Sequence, residues 1–526
     1  MKRLLVLALA LILTLSCASF AAAEERPVIS YWAALENSTI INSNAEKYCY
    51  QACSEATGVD IEWIHPPVGQ EDEQFSLLVV SDELPDIIEY KWNEKFPGGA
   101  EAAIANNVII PLNDLLEEYA PNYWNYLKEH PEVEQMVMTD SGIHYVIPYL
   151  YTITPEDSET WQSLNGRELF YETYCGLIIR QDWLEDLGLD VPVTVDDWYN
   201  VLVAFKNEKG AIAPLSVTWD YLKQAHSFAT AYGVCLGYYQ RDGKVLYGPY
   251  EPAYKDFLTT MNQFYTEGLL DTDFAVIDQP TMASKAMTGQ SGAWIGYAST
   301  SLGSLYSQMK GADPESRFYP IGVSNPKATE DQVLEYRQAS YPYWNRGAAI
   351  SSSCEDVESA LKYLDWAFSE EGDKIMNWGK EGESFNMVDG WPELGEICTN
   401  DPDGHTSSEI LFKYNKNDGC FAMDHLTRLR YKVSATPESL NCLDAWAASG
   451  AAPAELPPVT LLAEESADYA AIFSEVDTYV SEMTLRFIMG SEPLENFDEY
   501  INTLKDMGVE EMIATQQRAL DRYNAR

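Results

Sequence analysis

A chain of 526 residues, 46% hydrophobic and 22% charged, is long enough for two large lobes or about three average domains, and too apolar to be disordered. Its charge is extreme: 34 Lys and Arg against 82 Asp and Glu give −48, which makes nucleic acid and anionic membrane poor partners. Such a surface keeps a protein dissolved and disfavours a strongly anionic ligand unless a local basic pocket overrides the field.

Residues 1–23 have the layout of a signal peptide. Lys2 and Arg3 precede the apolar run from Leu4 to Leu15, which is short for a membrane span, and Ala21-Ala22-Ala23 offers small residues for cleavage. Leu15-Ser16-Cys17-Ala18 resembles the end of a lipobox, with Thr14 departing from it. Cleavage after Ala23 and lipidation of Cys17 both stay open; either leaves the chain extracytoplasmic, secreted or lipid-anchored at the outer face of the cell membrane. Next come a strand over Val28 to Trp32, a helix over Asn42 to Thr57 closed by Gly58, a strand over Val59 to Ile64, a helix over Gln74 to Val80 and a strand at Ile87-Ile88. A β-α-β opening predicts a parallel sheet with right-handed crossovers. Ligands gather beyond the carboxyl ends of such strands, which makes Trp32, Glu36, Glu89, Tyr90 and Trp92 candidate binding residues.

Val108 to Leu112 and a helix over Asn113 to Glu118 lead to Ile143-His144-Tyr145-Val146-Ile147-Pro148-Tyr149. From Gly176 to Lys206 the chain reads GLIIRQDWLEDLGLDVPVTVDDWYNVLVAFK. Leu177 to Ile179 form a buried strand, and Trp183, Leu184 and Leu187 one face of a helix stopped by Gly188 and Pro192. Thr194 and Asp197 form a near capping box for a helix that buries Trp198, Val201, Leu202 and Phe205. Helices are expected over Ala253 to Glu267 and Asp278 to Thr288, then a strand over Gly292 to Tyr297. A helix over Val357 to Phe368 follows, and three amphipathic helices lie between Leu456 and Arg526. The eight cysteines after Cys17 are scattered; Cys49 and Cys53, at i, i+4 with no histidine nearby, read as buried or disulfide-bonded thiols rather than half a metal site.

The pattern II-R-x-DWL-x-x-LGL-x-x-P-x-T-x-x-DW-x-x-VL-x-AFK, the blocks ATGVDIEW and FSLLVVSDELPDII, Trp378 to Phe385 and the turn Phe487-Ile488-Met489-Gly490 resemble the extracellular solute-binding proteins of bacterial ABC importers, in the long oligosaccharide-binding type of solute-binding family 1. The resemblance implies an α/β, two-lobed periplasmic-binding-protein-like fold (type II), with parallel-rich sheets flanked by helices and hinge strands between lobes. It implies lobe 1 from 27–148 plus 294–348 and lobe 2 from 151–290 plus 351–526. It also implies a monomer that traps a solute between its lobes and hands it to ABC permease subunits, without turnover. Residues 206–214 (KNEKGAIAP) lack the oxygen ligands of the calcium loop that some relatives carry here. Asp401-Pro402-Asp403-Gly404 and Asn417-Asp418-Gly419 read as turns, and no metal or cofactor is expected.

No GxSxG elbow, GxxxxGK[ST] loop or HExxH motif occurs, and no catalytic residue is assigned. Fourteen Trp and 34 Tyr, many beside Gly or Pro, suit a cleft that stacks on sugar rings. The candidates at strand ends and hinges are Tyr149, Trp219, Trp294 and Tyr297, then Tyr343, Trp344 and Trp378; Glu36, Glu89 and Arg346 are candidate hydroxyl partners. Carbohydrate, foremost an oligosaccharide, is the expected ligand. A peptide or other small solute on the same scaffold is the alternative, and a secreted glycoside hydrolase a distant third.

Overall fold

A computed structural model of the chain describes residues 26–526 apart from 36–39, 82, 152–172, 389–390, 404, 406, 417–419, 425–436 and 451. The signal segment with Cys17, the candidate Glu36 and the turn at 417–419 lie outside the described residues.

Two sheets organise the molecule. The first has six strands in the order Ala422–Asp424, Ile147–Tyr151, Tyr343–Ile350, Ile87–Tyr90, Val28–Trp32, Asp60–Ile64. Val28–Trp32 runs parallel to Asp60–Ile64 and to Ile87–Tyr90, as the β-α-β opening predicts. Tyr343–Ile350 is inserted antiparallel between Ile87–Tyr90 and Ile147–Tyr151. The second sheet has the order Pro320–Val323, Cys175–Arg180, Ala293–Tyr297, Leu215–Ser216. Cys175–Arg180 is antiparallel to both neighbours and buried at all six residues, as an uninterrupted apolar strand should be.

Local signals act as read. The helix Gln181–Leu187 ends on Gly188 in the left-handed region (φ 63°), where a side chain would be strained. The capping box of Val195–Glu208 is complete: the Asp197 N–H donates to Thr194 Oγ1 at 3.1 Å, and the Thr194 N–H donates to Asp197 Oδ2 at 2.8 Å. Trp198, Val201, Leu202 and Phe205 are the buried face. Three helices, Ala463–Ile488, Phe497–Asp506 and Val509–Ala525, close the chain. Among the described residues no helix is long and apolar enough to cross a membrane. Cys49, Cys53, Cys175, Cys235, Cys354, Cys398 and Cys420 stand as thiols, all buried except the half-buried Cys354.

The division into lobes differs from the expected one. Ala293–Tyr297 does not return to the first lobe; it pairs with Cys175–Arg180 and Leu215–Ser216 in the second. Gly292 holds it there, since a Cβ added to it would lie 2.3 Å from the Phe205 ring. The chain regains the first lobe only at Tyr343–Ile350, and the helix Val357–Trp366 packs in that same lobe, not the second: Ala360, Leu361, Tyr363 and Leu364 share its core with Cys49, Cys53 and Ile88. The first core draws on residues from Ile29 to Leu150 and from Tyr341 to Ala422, the second on residues from Cys175 to Val323 and from Cys442 to Met512.

The last helix belongs to both lobes. Its first turns bury Val509 and Met512 in the second core, while Tyr523 is buried in the first. At its end Arg522 Nε donates to Asp140 Oδ2 at 2.7 Å and Arg526 Nη1 to the Met138 carbonyl at 2.8 Å.

Candidate functional site

The space between the lobes is shaped by an irregularity in a strand. Tyr343–Ile350 pairs with Ile147–Tyr151 at Tyr343↔Leu150 and again at Gly347↔Pro148, with a register shift between. The extra residues form a bulge with Asn345 at φ 55°, a conformation that Asn tolerates better than most residues. Asn345 Oδ1 accepts from Asn93 Nδ2 at 3.3 Å, which pins the bulge. A bulge re-aims the side chains that it carries; Trp344 and Arg346 are half-buried here, while Ala348 to Ile350 in the regular part of the strand are buried.

A line of aromatic rings runs from the first lobe to the second through Trp344. Tyr149 meets it edge-on at 5.9 Å between centroids, and Tyr174 follows at 6.0 Å on the other side. Tyr297, at the end of its strand, lies 5.6 Å from Tyr174, and Tyr221 lies 5.0 Å from Tyr297. Gln224 Nε2 donates to the Tyr174 hydroxyl at 2.7 Å and fixes that ring. Lys416 Nζ stands 4.9 Å over Tyr149 at the first-lobe end. Trp344, Tyr174 and Tyr297 all keep part of their surface accessible. The backbone beneath them is stitched by Gln338, whose Oε1 accepts from the N–H groups of Tyr174 (2.9 Å) and Cys175 (3.2 Å).

Two carboxylates face the same region. Glu94 lies just past the carboxyl end of Ile87–Tyr90, and Glu455 follows the short strand Ala452–Pro453, which pairs with Tyr336–Arg337 in the crossing between lobes. Both are open to water, the Glu94 side chain at 45%. Both are nevertheless enclosed enough that burial raises their pKa, Glu455 to about 7 with the Glu94 charge adding to the effect. Access to solvent together with partial desolvation is what a cleft wall provides. Lys91, Lys95 and Arg346 partly offset the rise at Glu94.

Of the residues expected at the site, the structure brings together Tyr149, Trp344, Tyr297 and Arg346. Trp219 is half-buried at the start of Trp219–Ala225, under Lys223 Nζ at 5.4 Å, in the same helix as Tyr221 and Gln224. The others pack inward. Trp32 is buried edge-on to Tyr90, and Trp92 is fully buried and donates to the Ile88 carbonyl at 3.2 Å. Trp294 donates to the Ser301 carbonyl at 2.8 Å inside the second core, and Trp378 is buried near Phe385. Tyr343 shares a buried 2.6 Å hydrogen bond with the Tyr145 hydroxyl. Tyr90 donates to Asp72, and Glu89 accepts from the Tyr31 hydroxyl at 2.6 Å and from the Phe421 N–H at 3.1 Å. These seven side chains hold the lobes' interiors, because a strand end exposes one face to the cleft and gives the other to the core.

Tyr174, Tyr221, Glu94 and Glu455 were not among the candidates. Glu94 obeys the carboxyl-end rule that selected Trp92, whereas Tyr174 precedes its strand and escapes that rule. Glu455 is the lone charge in the Ala- and Pro-rich stretch 451–459, and that isolation was its signal. Among the described residues one group could hold a metal, Asp401, Asp403 and His405. Asp401 Oδ2 accepts from the N–H groups of Asp403 and His405 and from His405 Nδ1.

Two α/β lobes are crossed by several chain segments, with aromatic and acidic groups gathered at the crossing. Residues 158–374 match the model of the bacterial extracellular solute-binding proteins. It is 22% identical over 510 residues to the fructooligosaccharide ABC transporter substrate-binding protein FusA of Streptococcus pneumoniae serotype 4, covering 91% of this chain and 88% of that one. Lipoprotein LipO of Bacillus subtilis (strain 168) is 24% identical over 357 residues, 65% of this chain and 64% of its own. The structure of alginate-binding protein AlgQ2 without calcium ion superposes with a TM-score of 0.76 at 21% identity, covering 95% of this chain and 99% of that one. The fold is thus that of the type II solute-binding proteins.

Proposed function

We propose that this protein is the extracytoplasmic receptor of an ABC transporter, that it captures an oligosaccharide between its two lobes, and that it delivers the sugar intact to the membrane permease. The observation that carries the reading is the aromatic line Tyr149, Trp344, Tyr174 and Tyr297. Its rings come from both lobes, and Trp344, Tyr174 and Tyr297 keep accessible faces while Tyr149 is buried behind Trp344, which suits the apolar C–H faces of successive sugar rings. Closure of the lobes would complete the site, a hinge-type population shift. The sugar-binding names of FusA and AlgQ2 support the same substrate class.

The test is calorimetry and thermal shift against fructo-, xylo-, gluco- and manno-oligosaccharides, with recovery of the ligand afterwards. One of them is expected to bind and return unhydrolysed, and Trp344→Ala is expected to weaken it about tenfold or more, since loss of a central aromatic contact costs about 2 kcal/mol. Binding of peptides but of no saccharide would sink the reading, and release of reducing ends would sink the receptor role itself.

A further inference from the structure

We infer that the helices Ala463–Ile488 and Val509–Ala525 form a rigid strut built into the second lobe and socketed in the first, and that Asp140, held by Arg522 and Arg526, is the socket that fixes the resting angle between the lobes.

The two helices pack on each other across the boundary between the lobes. Ala463–Ile488 starts against the first lobe, where a Cβ added to Gly98 would lie 3.5 Å from Ser466 Cβ, and its later turns bury Val480 and Phe487 in the second core. Val509–Ala525 crosses the other way. Gln517, past its middle, is still tied to the second lobe, accepting from the Val245 N–H at 2.8 Å and donating to the Gly243 carbonyl at 3.0 Å. Tyr523, less than two turns on, is in the first core. Neither helix contains glycine or proline, the usual sites of a kink, so movement between the lobes on this side is taken up at the ends of the strut.

The second-lobe end is apolar and interdigitated, whereas the first-lobe end is chiefly polar. The Asp140 carboxylate is 0% exposed and accepts from Arg522 Nε at 2.7 Å, from Arg526 Nη2 and from Thr460 Oγ1 at 3.1 Å. Arg522 Nη2 donates at 2.7 Å to Glu465, which also accepts from Arg518 Nε at 2.8 Å. One planar guanidinium thus ties the first lobe to both helices of the strut, through charge-assisted bonds that are strong and directional. Gln135 Nε2 donates to the Tyr523 carbonyl at 2.7 Å and closes the same corner.

The socket works against a load. Acidic residues outnumber basic ones in each lobe, so the lobes repel one another. Holding them at one angle also sets the population from which any ligand is captured.

Small-angle X-ray scattering of the ligand-free protein tests this in wild type, Asp140→Asn, Arg526→Gln and Glu511→Gln. The last removes a carboxylate that pairs with Arg518 at 3.2 Å but lies outside the socket. Circular dichroism and melting temperatures report that each variant folds, and Arg526→Gln, at the edge of the socket, carries the test should Asp140→Asn fail to fold. In salt of about 0.01 M, where repulsion reaches furthest, the radius of gyration of both socket variants is expected to exceed the wild-type value by about 1 Å, against about 23 Å for a compact chain of this length. Sodium chloride at about 0.5 M, which screens the repulsion, is expected to restore it. A merely structural role would lower the melting temperature at an unchanged radius. Wild type and Glu511→Gln are expected to hold one radius at both salt concentrations. Folded socket variants with the wild-type radius at low salt, an increase that salt does not reverse, or the same salt-dependent spreading in wild type or Glu511→Gln would each overturn the proposal.

Discussion

Trp92 is fully buried, edge-on to Phe75 at 5.1 Å between ring centroids, whereas Trp344 rides a strand bulge with part of its surface open between the lobes. The same side chain therefore answers to different measurements. Trp92→Ala empties a site in the first core and is expected to destabilise the protein by about 3–5 kcal/mol in urea, with affinity unchanged in the molecules that remain folded. A Trp92→Ala protein of wild-type stability would contradict the packing described. In the sequence both tryptophans sit beside strand ends, and proximity to an end does not say which face a ring takes. That is why Trp32, Trp92, Trp294 and Trp378 read as site candidates although each is core. The bulge that distinguishes Trp344 depends on pairing with Ile147–Tyr151, a partner nearly 200 residues earlier, which no local pattern encodes.

Elements whose instructions are local were legible. Gly188 and the Thr194–Asp197 box fix the ends of their helices through atoms within a few residues, and the apolar face of Val195–Glu208 follows from its spacing alone. The strand at Ala293–Tyr297 was legible as a strand but not as a member of a given sheet, because a fully buried run fits either. The crossings were hidden for the same reason: they are held by side chains far apart in sequence. Gln338 is the clearest case, buried and accepting from two backbone N–H groups at the start of the second lobe. Gln338→Ala leaves those donors buried without that acceptor, and it is expected to cost about 1–3 kcal/mol. Equilibrium denaturation checks this, and a change below about 0.5 kcal/mol would mean that the crossing is held elsewhere.

At the scale of the whole molecule, the net charge of −48 works against a compact state through self-repulsion. Raising sodium chloride from about 0.01 M to about 0.5 M shortens the reach of that repulsion to a few ångströms. The melting temperature is expected to rise by about 2–4 °C, equivalent to ~1 kcal/mol in a large domain. A falling melting temperature would show that attractive ion pairs, such as Arg522 with Glu465 at 2.7 Å, outweigh the like charges. The two-lobed architecture itself was legible, and its boundaries were not, because the chain changes lobe at a strand insertion that leaves no break in composition.

The sheltered thiols carry a practical consequence. Burial pushes Cys49 and Cys354 up to about 12 and Cys398 up to about 11, and it raises Cys442 as well, so almost no thiolate is available to an alkylating reagent at neutral pH. Val80 in the first lobe and Val276 in the second are 78% and 85% exposed. Cysteines introduced at those two positions would take up a donor and an acceptor dye with little competition from these thiols, and energy transfer between them would report whether the distance between the lobes changes when an oligosaccharide is added.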